Sequence, residues 1–111
     1  MVRFSCEASG TSGRMVLVVA GEVDLAAADR LSEALDRGLV PDGVLAVDLS
    51  AVTFIDSMGL RTLIKAAQKA DEVDARLRLA AVPAAVTRVL ELAGVSGLFN
   101  VLESIERALE D

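Results

Sequence analysis

The chain is 111 residues long, 53% of them hydrophobic and 25% charged, which suits one packed domain and not a disordered chain. With 17 acidic against 11 basic residues the net charge is −6, a poor match for a phosphate backbone or an anionic lipid surface. The absence of His, Trp and Tyr and the presence of a single Cys exclude Ser-His-Asp and Cys-His catalysis, zinc sites built on His or Cys clusters, an internal disulfide and base-stacking platforms.

Residues 2–7 read as a weak strand and residues 15–20 (MVLVVA) as a Val-rich one. Between them, Ala8-Ser9-Gly10-Thr11-Ser12-Gly13 is turn chemistry and predicts an antiparallel hairpin. Cys6, on the first strand, is expected to pack as a small hydrophobe. Gly21-Glu22-Val23-Asp24 then leads into a helix for which Asp24 is a suitable N-cap. Leu25, Ala28, Leu31, Ser32, Leu35 and Leu39 follow helical spacing and define its expected inner face, and Gly38 and Pro41-Asp42-Gly43 stop it.

Residues 44–49 (VLAVDL) are nearly all apolar, as in a strand buried on both faces. Residues 50–55 lead on to Asp56-Ser57-Met58-Gly59, and a second helix is predicted over about 58–70 with Leu60, Leu63, Ile64 and Ala67 inward. Residues 76–81 form another strand. Pro83 suits the first turn of a third helix carrying Val86, Val89, Leu90 and Ala93, which Gly94 and Gly97 break. A short edge strand over 98–102 and a terminal helix over 103–109 complete the pattern. Nothing reads as a repeat, a linker, a targeting segment or an apolar run of the roughly 20 residues that a spanning helix needs, so a soluble cytoplasmic protein is expected. The order β-α-β-α-β-α implies right-handed crossovers and a mainly parallel sheet, and leaves open whether helices cover one face or both.

The candidate chemistry lies at two helix starts. Ser57 reads as an ordinary N-cap of the second helix, without a capping box because Leu60 stands three positions on. Gly59 in the first turn is less ordinary, and a missing side chain there is expected to leave the helix start open to another backbone or a phosphate. The bland reading of Glu22 and Asp24 is a turn plus a cap. The sharper one groups Glu22, Asp24 and Asp56 at one end of a parallel sheet, where three carboxylates can hold Mg²⁺ as in a phosphorylatable receiver domain. Receiver domains place a Lys after a late strand, whereas here the late strands end in Ala80-Ala81 and Val101-Leu102. A phosphate loop of the G-x-x-x-x-G-K-S/T type is also missing, which disfavours a nucleotide-binding domain.

The ordered set of segments carries more than any one of them. The apolar strand running into Gly21-Glu22-Val23-Asp24, the strand 44–49, the segment 52–60 (VTFIDSMGL), the run 77–90 (LRLAAVPAAVTRVL) and the run 92–99 (LAGVSGLF) together resemble the STAS domain family, specifically its free-standing anti-sigma factor antagonists, over about residues 4–109. The resemblance implies one α/β domain spanning residues 1–111, a four- to five-stranded mixed sheet with helices mainly on one face. It implies a bacterial regulator with no catalytic residue, cofactor or metal of its own, and no contact with nucleic acid or membrane. Its expected partners are an anti-sigma factor with serine kinase activity, which it binds when unmodified to release a sigma factor, and a phosphatase that reverses the modification. By position the phosphorylated residue is Ser57, and the expected partner-binding surface comprises Glu22, Asp24, Asp56, Ser57, Met58 and Gly59. The chain departs from many relatives at Met58, where they carry Ser or Thr. Ser57 needs no base of its own when a kinase supplies one, so the missing His suits a substrate. The competing reading within the same family is a docking module of a transport or stressosome complex.

Overall fold

In the computed structural model, which describes residues 3–110, five strands form one sheet in the order β1-β2-β3-β4-β5. The strands are β1 (Ser5–Thr11), β2 (Arg14–Val23), β3 (Val44–Ile55), β4 (Arg76–Ala80) and β5 (Asn100–Leu102). The helices are α1 (Leu25–Gly38), α2 (Ser57–Val73), α3 (Ala84–Leu92) and the single turn α4 (Ile105–Ala108), with a 3-10 turn over Ser96–Leu98. β1 and β2 pair antiparallel as the expected hairpin, and the remaining neighbours are parallel. Of the strand expected over 2–7, Val2 lies outside the described residues.

Sheet order settles which face the helices take. Each parallel strand is added beside the one before it, always in the same direction. Right-handed crossovers between strands laid down in that way all fall on the same side of the sheet. The main core accordingly sits on one face, where Leu17, Val19, Leu45, Val47 and Leu79 meet Leu31 and Leu35 of α1, Leu63 of α2 and Val86 and Leu90 of α3. Residues alternate across a strand, so Ala46 and Ala80 face the other side. There they pack against Ala108 with Leu102, Ile105 and Leu109. Arg78 clamps this cover by donating from Nη1 to the Ala108 carbonyl at 2.8 Å and to the Glu110 carbonyl, while Arg14 Nη2 donates to the Leu109 carbonyl.

The predicted inner faces hold in part. Leu31, Leu35 and Leu39 are buried, but Leu25 is 67% exposed and Ser32 faces solvent; Ala27 and Gly38 are buried instead. In α2, Leu60 and Leu63 are buried with Thr62, Ala66 and Ala70, whereas Ile64 and Ala67 are half-buried. Ala93 is exposed beyond the end of α3, which buries Val86 and Leu90. Lys69 Nζ lies 3.2 Å from Asp36 Oδ1 and ties α2 to α1.

β3 runs well past the predicted 44–49 segment. Its register against β2 jumps twice, pairing Val18 with Asp48 but Ala20 with Ala51, and Gly21 with Val52 but Glu22 with Phe54. Each jump inserts an extra β3 residue, a bulge that increases the local bend. Inward positions then fall at every third residue, Leu49, Val52 and Ile55. This spacing carries no strand signal in a sequence read for alternation.

Candidate functional site

β2 and β3 end side by side, with Val23 paired to Ile55. The next residue of each is an N-cap in extended conformation, Asp24 for α1 and Asp56 for α2. Asp24 Oδ1 accepts from the Ala27 amide at 3.1 Å. Asp56 Oδ1 accepts from the Met58 and Gly59 amides, both at 2.9 Å, and the Asp56 amide donates to the Val23 carbonyl at 3.1 Å. The two helix starts are therefore held at one end of the sheet by the same device, a carboxylate satisfying amides that the helix itself leaves without acceptors.

This geometry corrects the reading of Ser57 as a cap. Ser57 is the first residue of α2, exposed, and its hydroxyl makes no hydrogen bond among the described residues. Asp56, one residue earlier, does the capping. The side chain left over is a free hydroxyl carried on a rigid helix start.

Gly59 also departs from expectation. It is buried, and a Cβ added there would strike the Val23 carbonyl oxygen and meet Val23 Cγ1 at 2.7 Å and Ile55 Cγ1 at 3.0 Å. The bare helix start is filled by the protein's own β2 and β3 ends rather than left open to a partner's backbone or a phosphate. Gly59 is needed so that α2 can begin this close to the sheet. Gly21 is a second position of this kind: its φ is +89° and an added Cβ would strike the Arg3 carbonyl oxygen, so the glycine of the 21–24 segment lets the chain entering β1 pass over β2.

Glu22 and Asp24 are half-buried, as is Asp56, and Met58 is 37% exposed. Among the described residues no group of three or more His, Cys, Asp or Glu side chains stands close enough to hold a metal ion, so the three carboxylates do not assemble the Mg²⁺ site considered above. Composition and pattern missed two residues at this end of the sheet: Leu25, 67% exposed at the first position of α1, and Phe54, 50% exposed near the end of β3. The signal for Leu25 was its place directly after the cap, where a side chain has not yet turned toward the core.

A phosphate on Ser57 would find two of the first-turn amides in use. The Met58 and Gly59 amides, the natural donors to an anion at a helix start, already donate to Asp56. The phosphate would stand in solvent beside a carboxylate, as added surface charge rather than as the seed of a new internal structure.

Three comparisons bear on this site. The STAS domain model matches residues 5–108. The chain is 32% identical over 100 residues, 88% of its own length and 80% of the relative's, to the anti-sigma-F factor antagonist RsfB of Mycobacterium tuberculosis. It is 31% identical over 86 residues, 77% of its length and 75% of the relative's, to the anti-sigma-B factor antagonist of Listeria monocytogenes. Its fold matches the crystal structure of an anti-sigma factor antagonist from Mycobacterium paratuberculosis with a TM-score of 0.82 and 27% identity, covering 96% of this chain and 92% of that one. Among the described residues no helix is long and apolar enough to cross a membrane.

Proposed function

This chain belongs to the STAS domain family, and from that premise we propose that it is an anti-sigma factor antagonist switched by phosphorylation of Ser57. In its unmodified state the surface around Ser57 docks on a kinase-type anti-sigma factor, which then releases its sigma factor. The anti-sigma factor transfers the γ-phosphoryl group of ATP to Ser57: the Ser57 Oγ–P bond forms, the bond from phosphorus to the β-phosphate oxygen breaks, and the hydroxyl proton passes to a base of the kinase. A phosphatase hydrolyses the ester and restores docking. The chain acts as substrate and ligand, not as catalyst.

The observation that carries this reading is the unengaged, exposed Ser57 hydroxyl at the start of α2, at the end of the sheet that also carries exposed Leu25, Phe54 and Met58. An apolar surface with a free hydroxyl on it is suited to being desolvated by a partner. Glu22, Asp24 and Asp56 already place negative charge at the same end, to which a phosphate on Ser57 would add. A phosphate buried there without partners costs about 3–5 kcal/mol, typical of an uncompensated buried charge. That converts to a loss of affinity of roughly 10²- to 10³-fold or more.

Calorimetric titration of the unmodified and phosphorylated proteins against the anti-sigma factor tests the switch, with tight binding expected only for the unmodified form. Equal affinities would refute the switch and favour a constitutive docking module. Peptide mapping after incubation with the kinase and ATP is expected to place phosphate on Ser57; Ser32, Ser50 and Ser96 are exposed as well, so phosphate there with Ser57 bare would refute the assignment.

A further inference from the structure

A groove lies between α1 and the β1–β2 hairpin, on the helix-covered face, and Arg30 on its wall also borders the hollow that holds Phe4, Glu22 and Asp24 at the start of α1. It exists because both walls present small side chains where they face each other. β1 contributes Cys6 and Ala8, and α1 contributes Ala34 and Gly38 one turn apart. Met15 and Leu17 of β2 form the apolar floor. The resulting cavity of about 250 Å³ exceeds the ~150 Å³ that accepts a benzene ring and falls just short of the range usual for drug-sized ligands.

The groove carries cations in a chain whose net charge is −6. Arg30 and Arg37 line it, set about 10 Å apart along α1 by helical rise, with Glu33 as the one carboxylate of the lining between them. Arg37 Nη2 lies 3.9 Å from Glu33 Oε2, so its charge is partly answered. The Arg30 guanidinium stands over the Phe4 ring, 5.2 Å from its centroid, and has no carboxylate or hydrogen-bond partner among the described residues. Its fork of N–H donors is thus available at the mouth of an apolar slot.

We propose that this groove binds a small single-chain anionic amphiphile, its carboxylate or phosphate head held by Arg30 and its aliphatic chain lying along Ala8, Leu17 and Ala34. An uncharged chain would leave the guanidinium unanswered, and a cationic head would be repelled by it.

Decanoate, decanol and decyltrimethylammonium, each below its micellar concentration, are titrated into the isotopically labelled protein and followed by amide chemical shifts. Saturable shifts confined to β1, β2 and α1 are expected with decanoate, with affinity about tenfold weaker for decanol and none measurable for the ammonium compound. Decyl phosphate is expected to bind like decanoate if the head site accepts either anion; failure of both overturns the proposal. Arg30→Gln should lower decanoate affinity about tenfold without changing the circular dichroism spectrum. Ala34→Leu should fill the slot and abolish binding, and Ala8→Leu, on the opposite wall, supplies the same test if the helix variant fails to fold. Equal binding of all three heads, shifts lying outside the groove, or full affinity in a filled-groove variant would overturn it.

Discussion

Removing the Asp56 carboxylate strips two amides at the start of α2 of their acceptor. Asp56→Ala should therefore cost about 1 kcal/mol, and Asp56→Asn a smaller part of that because Asn caps nearly as well. Urea denaturation of the pair measures the difference. Gly59 gives the sharper test of the same corner. By helix propensity alone Gly59→Ala gains up to ~1 kcal/mol, but the new methyl would collide with the Val23 carbonyl, and forced overpacking costs about 1–3 kcal/mol or more. The methyl is fixed to the helix backbone and the oxygen it strikes is itself backbone, so a net loss is expected, and a stabilised Gly59→Ala protein would refute the packing described here. At Ser57 the expected series is a Ser57→Ala protein that binds the partner and resists the kinase, and a Ser57→Asp protein that is weakened only in part, since it adds one charge where phosphate adds nearly two. Titration of both against the anti-sigma factor reads the series.

Among the elements, α4 is held by few groups and shows what a clamp contributes. A single turn cannot persist on its own backbone bonds, and this one rests on Ala46 and Ala80 and on the arginine bonds to its last carbonyls. Arg78→Met should leave α1, α2 and α3 protected from amide exchange while the α4 amides open more easily by about 1–2 kcal/mol. Uniform protection across all four helices would show that apolar contact and the Arg14 bond hold the turn without Arg78. The helices and the hairpin could be read from the chain because their apolar residues recur at the period of the element that they form. The second half of β3 could not, because two bulges turn its inward period from two to three at Leu49, Val52 and Ile55. Both N-cap carboxylates are visible as residues, yet the sequence points to Ser57 as the cap of α2, since Asp and Ser cap almost equally well and only the fold separates neighbours. Leu25 misleads for a related reason: it fits the helical spacing of Leu31 and Leu35 but precedes the turn that faces the sheet.

For the whole molecule, one core carries most of the stability. Leu79, the penultimate residue of β4, is fully buried among residues from the sheet and the covering helices. Leu79→Ala should cost about 2–5 kcal/mol, a large share of the about 5–15 kcal/mol that holds an ordinary domain together. The midpoint of urea unfolding should fall accordingly; a drop below half a kcal/mol would mean that the sheet collapses around the loss. The sheet order also bears on how the molecule assembles. Because β1, β2, β3, β4 and β5 are neighbours in space in the order in which they are made, no strand has to be threaded between two others already paired. Each new strand meets a finished edge, and its crossover helix lies down beside the previous one. Loop closures stay short for a parallel sheet, which keeps the entropic barrier to pairing low. Growth from one edge suits a chain emerging from a ribosome, and pulsed hydrogen exchange during refolding should find β2 and β3 protected before β5.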